Sequence, residues 1–141
     1  MKKSFAFLVL LAGLVGGLAA QTSASDFEIT ESRHIATNPT MTLELASEVI
    51  IRGQEDANRR RLELDRRLSP SRLIQEKTRM EEQLVSRARR ELPDNPSVGS
   101  FWYVQLSYFD GSRRGVNYAV FFFVSQNRQV YHWMYRSETN L

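Results

Sequence analysis

Residues 100–136 read SFWYVQLSYFDGSRRGVNYAVFFFVSQNRQVYHWMYR, and this stretch decides the fold. Twelve aromatic residues lie between Phe101 and Tyr135, whereas none lies between Glu28 and Ser100. Aromatic and β-branched side chains suit a pleated, half-buried surface. The spacing predicts three strands, 100–109, 116–125 and 129–136. Asp110-Gly111-Ser112-Arg113-Arg114-Gly115 forms the first hairpin loop. Asn127-Arg128 forms the second, although Arg is a poor replacement for the usual Gly. The expected sheet is a three-stranded antiparallel meander with 116–125 in the middle.

Loop length sets the register, and register sets which side chains share a face. A two-residue loop at 127–128 pairs Phe123 with His132 and Phe122 with Trp133. An even first loop pairs Trp102 with Phe123 and Tyr103 with Phe122; an odd one turns the first strand over alone. One face then carries Trp102, Val104, Leu106, Ala119, Phe121, Phe123, Val130 and Met134. The other carries Phe101, Tyr103, Tyr118, Val120, Phe122, Val124, Tyr131, Trp133 and Tyr135. Tyr and Trp combine a large apolar body with a polar tip, which suits surfaces dry when bound and wet when free. Tyr103, Tyr118, Tyr131, Trp133 and Tyr135 are therefore the candidate binding residues. The rival occupant of that face is the chain's own first helix.

Upstream of the strands the chain is charged and aliphatic, an α-then-β order that implies an α+β domain. Leu43, Ala46, Ile50, Ala57 and Leu64 recur near helical spacing across 42–68. Gly53 and Asn58 weaken the middle of that helix enough to break it. Ser69 then caps a second helix, 71–92, with Pro70 in its first turn. Leu73, Ile74, Met80, Leu84, Val85, Ala88 and Leu92 form its apolar stripe, which packs on the drier sheet face. Leu92-Pro93 ends it. The full expectation is a signal peptide, one or two charged helices, and the meander with the second helix on one face.

The N-terminus reads as an address. Lys2 and Lys3 precede an apolar run from Phe5 to Ala20, and small residues follow. A spanning helix needs about 20 apolar residues, so the run fits a cleavable signal peptide better than an anchor. Thr22-Ser23-Ala24 and Gly17-Leu18-Ala19 are the two cleavage ends. The expected organisation is a signal peptide at 1–24, an irregular segment at 25–41 that adds at most a short strand, and one small domain at 42–141. The expected destination is the periplasm or the exterior of a bacterial cell, with membrane contact only through the signal peptide before cleavage.

Composition removes several chemistries. The chain has 141 residues and no Cys, which excludes disulfides, thiol catalysis and thiolate-held metals. Losing Lys2 and Lys3 leaves 17 basic residues against 16 acidic, about +1, so no global field draws nucleic acid. No H-E-x-x-H, G-x-S-x-G, S-x-x-K or Walker motif occurs. His34 sits in the N-terminal tail, and His132 reads as a hydrogen-bonded sheet residue. Glu55-Asp56 and Glu81-Glu82 are sequence neighbours, and adjacent helix residues do not face one another. Arg59-Arg60-Arg61, Arg66-Arg67 and Arg87-Arg89-Arg90 read as an ion-pair-laced surface, with anion binding as the sharper reading. No catalytic residue, metal site or cofactor is expected. The expected function is a non-enzymatic binding or assembly module of the cell envelope. Its partner on the Tyr-rich face is an envelope protein or a second copy; the alternative is a small envelope enzyme without a known motif.

Overall fold

The computed structural model describes residues 22–64, 67–111 and 114–140. Among these, two helices pack on opposite faces of one five-stranded antiparallel sheet. The strands are β1 (Glu28–Thr37), β2 (Arg72–Leu73), β3 (Ser100–Phe109), β4 (Arg114–Val124) and β5 (Val130–Asn140). Their spatial order is β1-β3-β4-β5-β2. The helices are α1 (Leu43–Leu64) and α2 (Arg79–Arg89), and a 3-10 turn at Ala24–Asp26 precedes β1. Most of the expected signal peptide lies outside the described residues.

The three-stranded meander is thus the centre of a wider sheet, which corrects the expected fold. β1 escapes sequence reading because nearly all its side chains face solvent, so it carries no alternation. Its backbone pairs with β3 from Glu28↔Ser107 to Thr37↔Ser100. Two irregularities, at Ile29/Glu31 and His34/Ala36, bend it. Phe27 and Ile29 anchor its start in the core.

At the other edge, Ser69 does not cap a helix. Its hydroxyl accepts from Glu138 N at 2.7 Å and donates to Glu138 O at 2.9 Å, docking the segment on β5. Leu73 then pairs with Tyr135, and Ile74 N–H donates to Met134 O at 2.9 Å. The expected 71–92 helix accordingly shrinks to Arg79–Arg89. Thr78 caps it: Glu81 N–H donates to Thr78 Oγ1, and Thr78 N–H donates back to Glu81 Oε1 at 3.1 Å. The signal for this start, Thr78-Arg79-Met80-Glu81, is a capping box. Leu84, Val85 and Ala88 bury its inner face against Val104, Leu106, Tyr118, Val120, Phe122 and Met134.

Helix α1 runs unbroken through Gly53 and Asn58. A Cβ on Gly53 would meet nothing within 4 Å, so glycine there costs only helix propensity, about 1 kcal/mol. Asn58 clamps the next segment: it donates to Ser71 O at 3.0 Å and accepts from Ser71 N at 2.9 Å.

Both hairpin loops are odd, and this corrects the register. The β3–β4 ladder closes at Phe109↔Gly115, with an odd number of residues between them, and Asp110 N–H donates to Arg114 O at 3.0 Å. The β4–β5 ladder closes at Val124↔Val130, and Ser125 N–H donates to Gln129 O at 2.9 Å. Arg128 N–H donates to Ser125 O at 2.9 Å, and Arg128 is left-handed with φ 64°. That is a three-residue type I turn with a left-handed third residue, where Arg takes the place usual for Gly. The middle strand therefore turns over relative to both neighbours. Phe101 faces Phe123, Trp102 faces Phe122, and Phe122 faces His132. Tyr118, Val120 and Phe122 join the α2 side, whereas Ala119, Phe121 and Phe123 join the α1 side.

A cleft between the long helix and the polar end of the sheet

The α1 side of the sheet changes character along the strands. At one end Phe101, Phe123 and Tyr135 are buried beneath Ala46 and Ile50. Phe101 and Phe123 stack with ring centroids 4.7 Å apart, and Phe121 meets Tyr135 edge-on at 6.1 Å. At the other end the same face carries Gln105, Ser107, Asn117, Ser137 and Thr139. Here α1 presents Gln54, Ala57 and Arg61 across an open cleft of about 520 Å³.

Hydrogen bonds link the cleft floor across three strands. Tyr103 O–H donates to Gln105 Oε1 at 2.8 Å, and Gln105 Nε2 donates to Ser107 Oγ at 3.4 Å. Ser107 O–H donates to Asn117 Oδ1 at 2.8 Å, and Asn117 Nδ2 donates to Thr139 Oγ1 at 3.3 Å. Arg33, from edge strand β1, stands over the Tyr103 ring with its guanidinium carbon 5.4 Å from the centroid. Glu31 meets the same guanidinium at 2.9 Å. Burial, then the Glu31 carboxylate, pushes the Tyr103 phenol up to about 12, against the opposing pull of Arg33 and Arg61. Tyr103 is therefore a neutral hydrogen-bonding group at physiological pH.

The five expected binding residues do not share a face. Tyr103, Tyr131, Trp133 and Tyr135 lie on the α1 side. Tyr118 lies on the α2 side, buried edge-on against Phe27 at 5.3 Å. Tyr135 is buried under α1 with its hydroxyl unpartnered, and burial followed by Glu55 raises its pKa. Tyr131 and Trp133 stay half-buried beside Leu43 and Glu44, and Tyr131 O–H donates to Gln129 Oε1 at 2.8 Å. The first helix thus covers Tyr135, whereas Tyr131 and Trp133 stay half-buried at its N-terminal end and Tyr103 opens on the cleft.

The arginine triplet is divided by helix geometry. Arg59 pairs outward with Asp56, Arg60 is exposed, and Arg61 turns into the cleft, with Nη1 at 3.4 Å from Ser71 Oγ. Sequence reading missed Arg33, Gln54, Gln105, Asn117, Ser137 and Thr139 as cleft residues, and named Arg61 only within a basic cluster. Gln105, Asn117, Ser137 and Thr139 did carry a signal, polar residues at alternate positions toward one end of their strands, whereas Gln54 and Arg61 on α1 and Arg33 on β1 carried none. Among the described residues no group of three His, Asp or Glu side chains converges as a metal site.

His132 departs from the expected hydrogen-bonded state. Its Nε2 is buried on the α2 side without a partner. Burial lowers its pKa below the ordinary 6.5, aided by Lys77 and Arg89. A lowered folded pKa contributes stability that is present above about 6.5 and lost as pH falls. The stability of the wild type should fall between pH 7 and pH 5 more than that of His132→Phe, which removes both the titration and the orphan nitrogen. Parallel urea midpoints for the two proteins across that range would contradict this assignment.

Comparison with known proteins finds no matching family model, no matching curated protein and no matching solved structure.

Proposed function

We propose that this chain is an exported binding module that holds a small molecule in the cleft between α1 and the sheet. One observation carries the reading: a sheet face that turns from aromatic to polar beneath a single helix, leaving about 520 Å³ open where a core would close. Burying unsatisfied polar groups costs roughly 1–3 kcal/mol each, so a purely structural design would put apolar side chains under α1. The volume lies in the range of roughly 300–1,000 Å³ common for small-molecule sites. Binding is favoured over catalysis by the lining. Among the described residues it holds no carboxylate, histidine or lysine, and Tyr103 keeps its proton up to about pH 12. Such a cleft orients a ligand but moves no proton near neutrality.

The test is retention of a small molecule through native purification from envelope extracts. Native mass spectrometry of the wild type should show a bound species, and Ala57→Trp, which fills the cleft from α1, should lose it while staying folded by circular dichroism. A wild type free of any bound species, or equal retention by both proteins, would sink the reading.

Export rests on the N-terminal pattern. Ser23 caps the turn at Ala24–Asp26, and Ala24 is buried with its carbonyl accepting from Arg87. We therefore place cleavage at the upstream end, Gly17-Leu18-Ala19, so that the mature chain keeps both residues. Intact mass should give an N-terminus at Ala20; a mature chain starting at Ser25, or at Met1, would refute this placement.

A further inference from the structure

Resting on the cleft reading, we infer that the ligand is a small acceptor-rich anion, a carboxylate or phosphate compound, seated with its charged end at Arg61 and Arg33. The first ground is charge. The two guanidiniums reach the cleft from different elements, Arg33 from the sheet edge and Arg61 from the helix, and among the described residues no acidic side chain lines it. Both act on the same phenol, Tyr103. Glu31 meets Arg33 through Nε, one of five donors on a guanidinium. Planar guanidinium forks match carboxylate and phosphate oxygens alike.

The second ground is the direction of the hydrogen bonds in the floor. In the chain from Tyr103 to Thr139, each side-chain oxygen after Tyr103 accepts from its neighbour. Gln105 and Asn117 each spend one N–H in that chain, and an amide nitrogen carries two. Thr139 Oγ1 accepts there and still has a proton of its own to give. Two amide protons and one hydroxyl proton of the floor are thus left to give. A cation meets no complementary charge among the described lining residues, whereas an anion rich in oxygen meets both arginines and the spare amide protons.

The experiment is a titration of the 15N-labelled mature chain, followed on the Arg Nε–Hε and Gln/Asn side-chain amide signals at constant ionic strength. Succinate, inorganic phosphate and glucose are the three probes, so the carboxylate and phosphate arms separate the two sources of the anion. The proposal expects saturable shifts at Arg61, Gln105 and Asn117 with at least one anion, at least tenfold tighter than with glucose. Arg61→Gln should weaken that binding at least tenfold, and Arg60→Gln, outside the cleft, should leave it unchanged; both should keep dispersed spectra. If glucose shifts these signals as tightly as either anion, or Arg61→Gln binds like the wild type, the anion assignment falls and cleft binding stands. If no probe gives saturable shifts at the cleft signals, both fall.

Discussion

Gly99→Ala should remove roughly a third or more of the stability of the domain. Gly99 has φ 77°, and a Cβ there would lie 2.1 Å from Asn38 O, 2.4 Å from Asn38 C and 2.7 Å from Pro39 Cα. All three are backbone atoms, so no rotamer change relieves the overlap. The same glycine donates its N–H to Val124 O at 2.8 Å and accepts from Asn38 N at 2.8 Å. It ties the end of β1, the start of β3 and the end of β4 into one corner. Left-handed backbone with a side chain costs roughly 1–2 kcal/mol. Displacing Asn38-Pro39 adds the loss of two backbone hydrogen bonds at about 1 kcal/mol each, together about 3–4 kcal/mol. Domains of this size hold roughly 5–15 kcal/mol in all, so the urea midpoint should fall by a third or more. Gly53→Ala is the control with the opposite sign. Its Cβ meets nothing within 4 Å, and the helix should gain up to about 1 kcal/mol. Equal midpoints for the two variants would show that the Gly99 corner is not built as described.

Leu84→Asp should be comparably severe, and its severity should depend on pH. Leu84 is fully buried between α2 and the sheet, in one cluster with Val104, Val120, Phe122 and Met134. Truncating a buried leucine costs roughly 2–5 kcal/mol. A carboxylate at that position adds the cost of an unpaired buried charge, which the protein limits by protonating it. The introduced carboxyl thus has its folded pKa raised above the ordinary value near 4. A raised folded pKa favours the folded state below the unfolded pKa, and that contribution is lost as pH rises. The loss should therefore be about 5 kcal/mol at neutral pH and smaller below pH 4. Leu84→Ala should lose about 3 kcal/mol with no such pH dependence. An unfolding midpoint for Leu84→Asp within experimental error of the wild type at pH 7 would contradict the packing of α2.

The central strands, the two helical regions and the packing of Leu84, Val85 and Ala88 on the sheet were legible because each depends on local pattern. The faces were not, because they depend on loop parity. Arg128 occupies a left-handed position that sequence habit reserves for Gly or Asn, so the loop reads one residue too short. Reading both loops as even misplaces β4 against β3 and β5 together. Tyr118 then crosses to the wrong side, and the aromatic-to-polar gradient that marks the cleft disappears from view. With the observed register the gradient is plain: Phe101, Phe123 and Tyr131 are level at one end, and Ser107, Asn117 and Ser137 at the other. β1 was hidden for a different reason. An edge strand that buries almost nothing is specified by its neighbour's free hydrogen bonds, not by its own side chains. Arg33 entered the cleft from that strand and was hidden with it. The Thr78 capping box was readable but was outcompeted by Ser69-Pro70, whose hydroxyl bonds β5 instead.

The account stands on the polar end of the α1 side being a ligand cleft, not a loosely closed core. The direct measurement is a crystal structure of the chain purified without denaturation from its native source. The account predicts electron density for a non-protein molecule between Arg61 and the Gln105–Asn117 floor, with α1 held off the sheet there. A cleft closed by inward movement of α1, or one holding only ordered water, would contradict it.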